Sequence, residues 1–160
     1  MSEGPAGGHD SRPQEPGPTR YTADSVSANG ADTHQLYQRG LDLLGRGSPA
    51  AAAQLLERAA AAEPRSRSIL EALARAQFDA GQYAASAGNF RLIVDASPSD
   101  DYAQFGLGLA LARTGDPGAA AEHLALAAAM RPNLRHYTDA LRNVRATLRA
   151  RGEMREGSSD

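Results

Sequence analysis

The chain has 160 residues, with 17 Lys+Arg against 19 Asp+Glu and a formal charge of −2, which makes one modest domain with no overall pull toward nucleic acid or anionic membrane. It contains no Cys, so disulfides, thiol nucleophiles and thiolate metal sites are excluded. Every basic residue is Arg, and Ala occurs 33 times, a GC-rich, actinobacterial-type bias that speaks to source rather than to chemistry.

Residues 1–30 hold Pro5, Pro13, Pro16 and Pro18 among Gly, Ser and acidic residues, and Tyr21 and Val26 are the only large apolar side chains after Met1. Such a segment cannot bury enough surface to offset its ordering entropy and is expected to be a disordered tail. The same expectation covers 152–160. The amino terminus lacks the basic and apolar blocks of a secretory signal, and no apolar run approaches the length of a membrane span, so a cytoplasmic protein is expected.

Between the tails the sequence repeats. Pro64, Pro98 and Pro132 are spaced by 34, and the same register carries Gly47, Gly81 and Gly115; Leu56, Phe90 and Leu124; and Gly40, Ala74 and Gly108. The second column predicts helix ends that need a left-handed residue. Ser48-Pro49 and Asp116-Pro117 then place a capping side chain before a proline at the first helical position. The prolines of the first column end each second helix. Apolar residues recur at helical spacing on the first helices (Leu36, Leu43, Leu44; Leu70, Leu73; Leu107, Leu111) and on the second (Leu55, Leu56, Ala59; Phe90, Ile93, Val94; Leu124, Ala127, Ala128). Gly40, Ala74 and Gly108 predict close helix approach, with Ala52, Ser86 and Ala120 opposite. After Pro132, Leu134, Tyr137, Leu141, Val144 and Leu148 predict one more amphipathic helix, a cap over the last apolar face.

These columns closely resemble the tetratricopeptide repeat, a helix pair of 34 residues. The resemblance covers repeats 33–66, 67–100 and 101–134, followed by the cap over 134–151, in a repeat domain of 31–151. It implies an all-α, right-handed helical-repeat solenoid of three helix-turn-helix pairs plus a C-terminal capping helix. Arg39, Gln77 and Gln104 stand at sites that are usually apolar in the family, and Ile93 stands where a small residue is usual.

The resemblance also implies a non-catalytic protein-protein interaction module, an adaptor or scaffold, with a groove lined by the first helix of each pair. Carried over residue by residue, the groove comprises Tyr37, Leu41, Glu71, Arg75, Phe78, Tyr102, Phe105, Leu109 and Arg113, with His34, Leu44 and Ser68 beside them. Its implied ligand is a peptide or helix with apolar anchors and an acidic contact. Family members that grip a chaperone's terminal carboxylate do so with Lys, Asn and Arg; here the matching positions hold Tyr37, Leu41, Ala72, Tyr102 and Gly106, which disfavours that partner. Self-association into a homodimer is the alternative.

Residues 131–151 contain Arg131, Arg135, Arg142, Arg145, Arg149 and Arg151 against the single acid Asp139. Arg135, Arg142, Arg145 and Arg149 form a candidate basic face for an acidic partner or nucleic acid, although Tyr137 is the only stacking aromatic nearby and a solvated face serves a cap equally well. The histidines, His9, His34, His123 and His136, show no metal-ligand spacing, and Glu122 beside His123 points elsewhere around its helix. No catalytic residue, metal or cofactor is expected.

Overall fold

A computed structural model of the protein describes Gly4 and residues 23–159, with side chains from Gly30 onward. The described residues form seven helices: α1 (Ala23–Gly45), α2 (Pro49–Ala62), α3 (Arg67–Asp79), α4 (Tyr83–Ala96), α5 (Asp101–Arg113), α6 (Pro117–Met130) and α7 (Arg135–Gly157). Each packs on the next in chain order, and the first helices of successive pairs also touch, α1 on α3, α3 on α5 and α5 on α7. The result is an all-α solenoid of three helix pairs with a terminal helix.

The 34-residue columns act as anticipated. Gly47, Gly81 and Gly115 have φ of 78°, 80° and 89°. At each, the following amide reaches back across the turn, from Ser48 to the Leu43 carbonyl at 2.9 Å, from Gln82 to Gln77 at 2.8 Å and from Asp116 to Leu111 at 3.0 Å. This closure satisfies carbonyls that the helix end would otherwise orphan. Side chains cap three of the helix starts, Ser66 for α3, Asp100 for α5 and Asp116 for α6, accepting from the amides of Ile69, Ala103 and Ala119. Ser48 departs from expectation: its side chain makes no capping bond, and Pro49 alone marks that start.

Close approach within pairs also holds. A Cβ on Gly40 would lie 2.6 Å from Leu56 Cγ, and one on Gly108 would lie 2.6 Å from Leu124 Cγ and 3.1 Å from the Ala120 carbonyl. The column leaves room for the large residue of the second helix, Leu56 or Leu124, with the Ala120 backbone close by in the third pair. In the middle pair Ser86 donates from Oγ to the Ala74 carbonyl at 2.7 Å. Gln77 and Gln104, polar yet almost fully buried, are each paired across the helix pair. Gln77 Oε1 accepts from Asn89 Nδ2 at 2.7 Å. Gln104 donates from Nε2 to the Pro98 carbonyl at 3.0 Å and turns Oε1 to His123 Nδ1 at 2.8 Å. Because the Pro98 carbonyl can only accept, Oε1 must face the ring, and Nδ1 of His123 carries the proton. Burial, aided by Arg91, holds the His123 pKa below its ordinary value.

Both ends run longer than expected. Helix α1 begins at Ala23, inside the stretch read as a tail, and α7 continues to Gly157 rather than stopping near Arg151. No proline follows Pro18 in this stretch, and extending an existing helix is far easier than starting one. At the carboxyl end the cause is in the register: Arg149 stands one repeat after Gly115, so the left-handed stop is missing. The remainder of the amino-terminal expectation, 1–22, lies outside the described residues save Gly4. The cap packs on the last pair, with Tyr137, Leu141 and Val144 buried against Ala120, Leu124, Ala127 and Ala128 of α6, while Leu148, expected on the same apolar face, is exposed. Among the described residues no helix is long and apolar enough to cross a membrane.

Candidate functional site

The groove residues fall into three groups. Arg75, Phe78, Tyr102, Phe105 and Leu109 converge with Asp79, Phe90 and Gly106 on a hollow of about 260 Å³ between α3 and α5. Tyr37 and His34 line a separate, polar hollow of about 180 Å³ with Glu63, Ser66 and Ser68. Leu41, partly buried, packs against the cluster that α2 and α3 form around Ala72 and Leu73. Repeat one therefore does not contribute to the hollow between α3 and α5.

Alternate turns of two neighbouring first helices bring the hollow's walls together. Arg75, Phe78 and Asp79 project from α3, and Tyr102, Phe105 and Leu109 from α5, at the three- and four-residue spacings that share a helix face. Phe90 comes from α4 and closes the space behind them. Its ring occupies the place of the missing side chain of Gly106: a Cβ there would meet Phe90 Cζ at 2.4 Å. Tyr102 meets the Phe90 ring edge to face, with centroids 6.1 Å apart, and burial raises the Tyr102 pKa above its ordinary value.

The other members are committed to neighbours. Arg113 lies over the rings of Phe78 and Tyr83, at 5.8 and 5.3 Å, and donates to the Tyr83 hydroxyl at 3.2 Å. Phe78 and Tyr83 themselves pack edge to face at 5.1 Å, so Arg113 braces the aromatic wall instead of lining the hollow. Glu71 pairs with Arg67, whose guanidinium also grips Asp100 through two bonds of 2.7 and 3.1 Å. Phe105 is shared: its other side stacks on Tyr137 of the cap at 4.5 Å and meets the His136 ring at 5.3 Å. Tyr137 is only 2% exposed, donates to Asp101 Oδ2 at 2.8 Å, and is held protonated by burial and by that carboxylate. It belongs to the core, so the basic helix offers no aromatic of its own for stacking.

Asp79, Phe90 and Tyr83 were not among the groove residues anticipated from sequence. Asp79 was legible as the fourth residue after Arg75. The intrusion of Phe90 beneath Gly106 is a contact between helices that no spacing along either helix encodes.

Along α7, Arg135, Arg142, Arg145 and Arg149 are exposed, and Arg142 meets Asp139 at 3.3 Å with both side chains more than half exposed. A surface pair of this kind contributes little. A wider hollow, of about 600 Å³, separates Pro117 from the last turns of α7 at Leu148, Arg151 and Met154.

The tetratricopeptide repeat family profile matches residues 37–101 and 72–135. The chain belongs to the tetratricopeptide repeat family. No curated protein matches it. Solved structures of the same fold include the first TPR of Spaghetti (RPAP3) bound to the HSP90 peptide SRMEEVD, 19% identical, covering 74% of this chain and 94% of that one with a TM-score of 0.68. The Sgt2 TPR domain from Aspergillus fumigatus is 20% identical over 76% of this chain and 82% of that one, with a TM-score of 0.69. An O-GlcNAc transferase mutant from Thermobaculum terrenum is 20% identical over 72% of this chain but only 22% of its own length, with a TM-score of 0.64. At these identities the likeness concerns the fold alone.

Proposed function

We propose that this chain is a non-catalytic interaction module that seats one large apolar side chain of a partner peptide or helix in the hollow between α3 and α5. The observation that carries this reading is the convergence of Phe78, Tyr102, Phe105 and Leu109 on one space of about 260 Å³, with Arg75 and Asp79 at its edge. That volume lies below the roughly 300–1,000 Å³ typical of small-molecule and cofactor sites. It suits a single anchor, and aromatic walls held by edge-to-face contacts present a rigid surface that loses little entropy on binding. Arg75, exposed at the edge, favours an acidic residue beside the anchor. Asp79 sets the other side against a second acid, which makes the pair a filter on the flanking charge.

A chaperone's terminal carboxylate is disfavoured as ligand. The family's gripping positions hold Tyr37, Leu41, Ala72, Tyr102 and Gly106 here, none of which carries a cationic donor, and Leu41 packs against the cluster that holds Ala72. The family likeness of part of a transferase gives no catalytic group to this chain, and neither His123, bonded to Gln104, nor His136, packed on Phe105, is arranged as a base beside a nucleophile.

Selection of phage-displayed peptides against the full chain tests the reading. Enriched peptides should share an aromatic or large aliphatic anchor with a neighbouring acid, and Arg75→Glu should weaken them by about tenfold or more. Peptides without a common anchor, or binding that is indifferent to both Arg75→Glu and Leu109→Asp, would reject the hollow as the site.

A further inference from the structure

The 34-residue register assigns a role to the exposed face of α7. In α1, α3 and α5 one stripe receives the second helix of the same pair: Leu36, Gly40 and Leu43; Leu70, Ala74 and Gln77; Gln104, Gly108 and Leu111. Contacts identify it as such, since Gly40 faces Leu56, Ala74 faces Ser86 and Gly108 faces Leu124. One repeat further on, the same stripe in α7 reads Thr138, Arg142 and Arg145, followed by Arg149 at the stop-glycine column. The adjoining stripe, one residue earlier and so about 100° around the helix, is Tyr137, Leu141 and Val144; it corresponds to Ala103, Leu107 and Ala110 and packs backward on α6. Helix α7 is therefore a fourth first-helix whose partner-receiving face carries arginines where the other three carry Gly, Ala, Leu or an uncharged Gln.

We propose that this face receives an acidic helix from a partner protein, laid where the second helix of a fourth pair would lie. Arg135, Arg142, Arg145 and Arg149 fall within roughly 80° of arc on a helix advancing about 100° per residue. Each is exposed, and among the described residues only Arg142 of the four has an ion-pair partner, Asp139 at 3.3 Å. Intervals of three and four along this stripe match the rows of acids on one face of an opposing helix. The charge selects against a second copy of α7, which would set Arg against Arg. It selects against lipid as well, because the stripe holds no large apolar side chain to insert. For nucleic acid it lacks stacking aromatics, Tyr137 being buried.

The test uses the full chain and a stapled Ala-rich peptide of 14 residues, the length of α2, α4 and α6, with Glu on one face at helical spacing. Fluorescence anisotropy is read at about 0.15 M salt, where exposed charges beyond about 8 Å are screened. The peptide should bind, lose about tenfold or more in affinity to Arg142→Glu/Arg145→Glu, and its Lys counterpart should bind that variant in preference to the parent. Should that variant fail to melt like the parent, Arg145→Glu/Arg149→Glu provides the same reversal nearer the helix end. Absence of binding, equal binding to the reversed variant, or equal binding of a proline-interrupted peptide of the same charge overturns the proposal. So does tighter binding of phosphatidylglycerol vesicles or of duplex DNA than of the peptide.

Discussion

Asp100 joins two repeats and caps a helix at once, and the two contributions separate by experiment. Its carboxylate accepts from the Ala103 amide at 3.0 Å, starting α5, and takes two bonds from Arg67 at 2.7 and 3.1 Å, reaching back to α3. Asp116 caps α6 with nearly the same geometry, accepting from Ala119 at 3.1 Å, but forms no ion pair among the described residues. Replacing a capping Asp by Ala costs about 1 kcal/mol, and that is the expected cost of Asp116→Ala. Charge-assisted, two-pronged bonding to Arg67 adds to this at Asp100. Its side chain is only 12% exposed, but that of Arg67 is 50% exposed, so solvent screening holds the increment to about 1 kcal/mol. Asp100→Ala is thus expected to cost about 2 kcal/mol, and in a domain of this size each kcal/mol is worth roughly 4 °C in Tm.

The excess has a pH signature. The Arg67 guanidinium, above all, and the Ala103 amide hold the Asp100 carboxyl below its ordinary value of 3.8. A depressed folded pKa contributes stability that is fully present above the unfolded value and is lost as pH falls through the folded one. Circular dichroism melts of the parent, Asp100→Ala and Asp116→Ala should show the larger deficit for Asp100 at neutral pH, with the Asp100 deficit shrinking below about pH 4. Equal deficits at neutral pH, or an Asp100 deficit that does not shrink in acid, would refute the tie between repeats.

Glycines in helices should divide by environment. Gly88→Ala, with nothing within 4 Å of the new Cβ, should raise stability by up to about 1 kcal/mol, whereas Gly108→Ala, facing Leu124 Cγ at 2.6 Å, should lower it by about 1–3 kcal/mol through overpacking; urea melts read both signs. Ending the chain at Asn133 removes α7 and uncovers Leu124, Ala127 and Ala128, so the shortened protein should aggregate or melt early, and a soluble truncation of unchanged Tm would show that α7 is no cap. Rebuilding the receiving stripe with Arg142→Gly and Arg145→Leu should make the chain self-associate, which light scattering detects as a mass increase; a monomer of unchanged stability would deny that the arginines end the array.

The architecture was legible because the repeat states the same physical instruction several times. A positive φ at Gly47, Gly81 and Gly115 and the proline stops follow from single residues at fixed spacing, and so did the helix pairs between them. Less legible were matters decided between helices. Gln77 and Gln104 look like flaws in an apolar column until Asn89 and His123 are seen to pair with them. Arg67 and Asp100, 33 residues apart, meet only because successive repeats stack. Helix α7 outran its expected end because a charged residue, Arg149, occupies a glycine column, a signal present in the register but easily read as surface decoration.

The candidate site was legible in part. Carry-over by family position selected Arg75, Phe78, Tyr102, Phe105 and Leu109, which the fold gathers, but also Tyr37 and Leu41, which belong to the first pair's own surroundings. Position along a helix does not record how deep the neighbouring helices leave a side chain. Nor does it record that Phe105 serves two surfaces, walling the hollow while stacking on Tyr137. A double substitution of Tyr102 and Phe105 would therefore disturb the cap along with the hollow, which is why Arg75 and Leu109 are the better probes.

The most direct test of the interaction reading is site-specific photo-crosslinking in cells that express this chain. A benzophenone side chain at Leu109, on the wall of the hollow, is compared with one at Arg58, exposed on α2. The account predicts a defined protein crosslinked from position 109, competed by an enriched anchor peptide and absent from position 58. The same adducts from both positions, or adducts from position 58 alone, would contradict it.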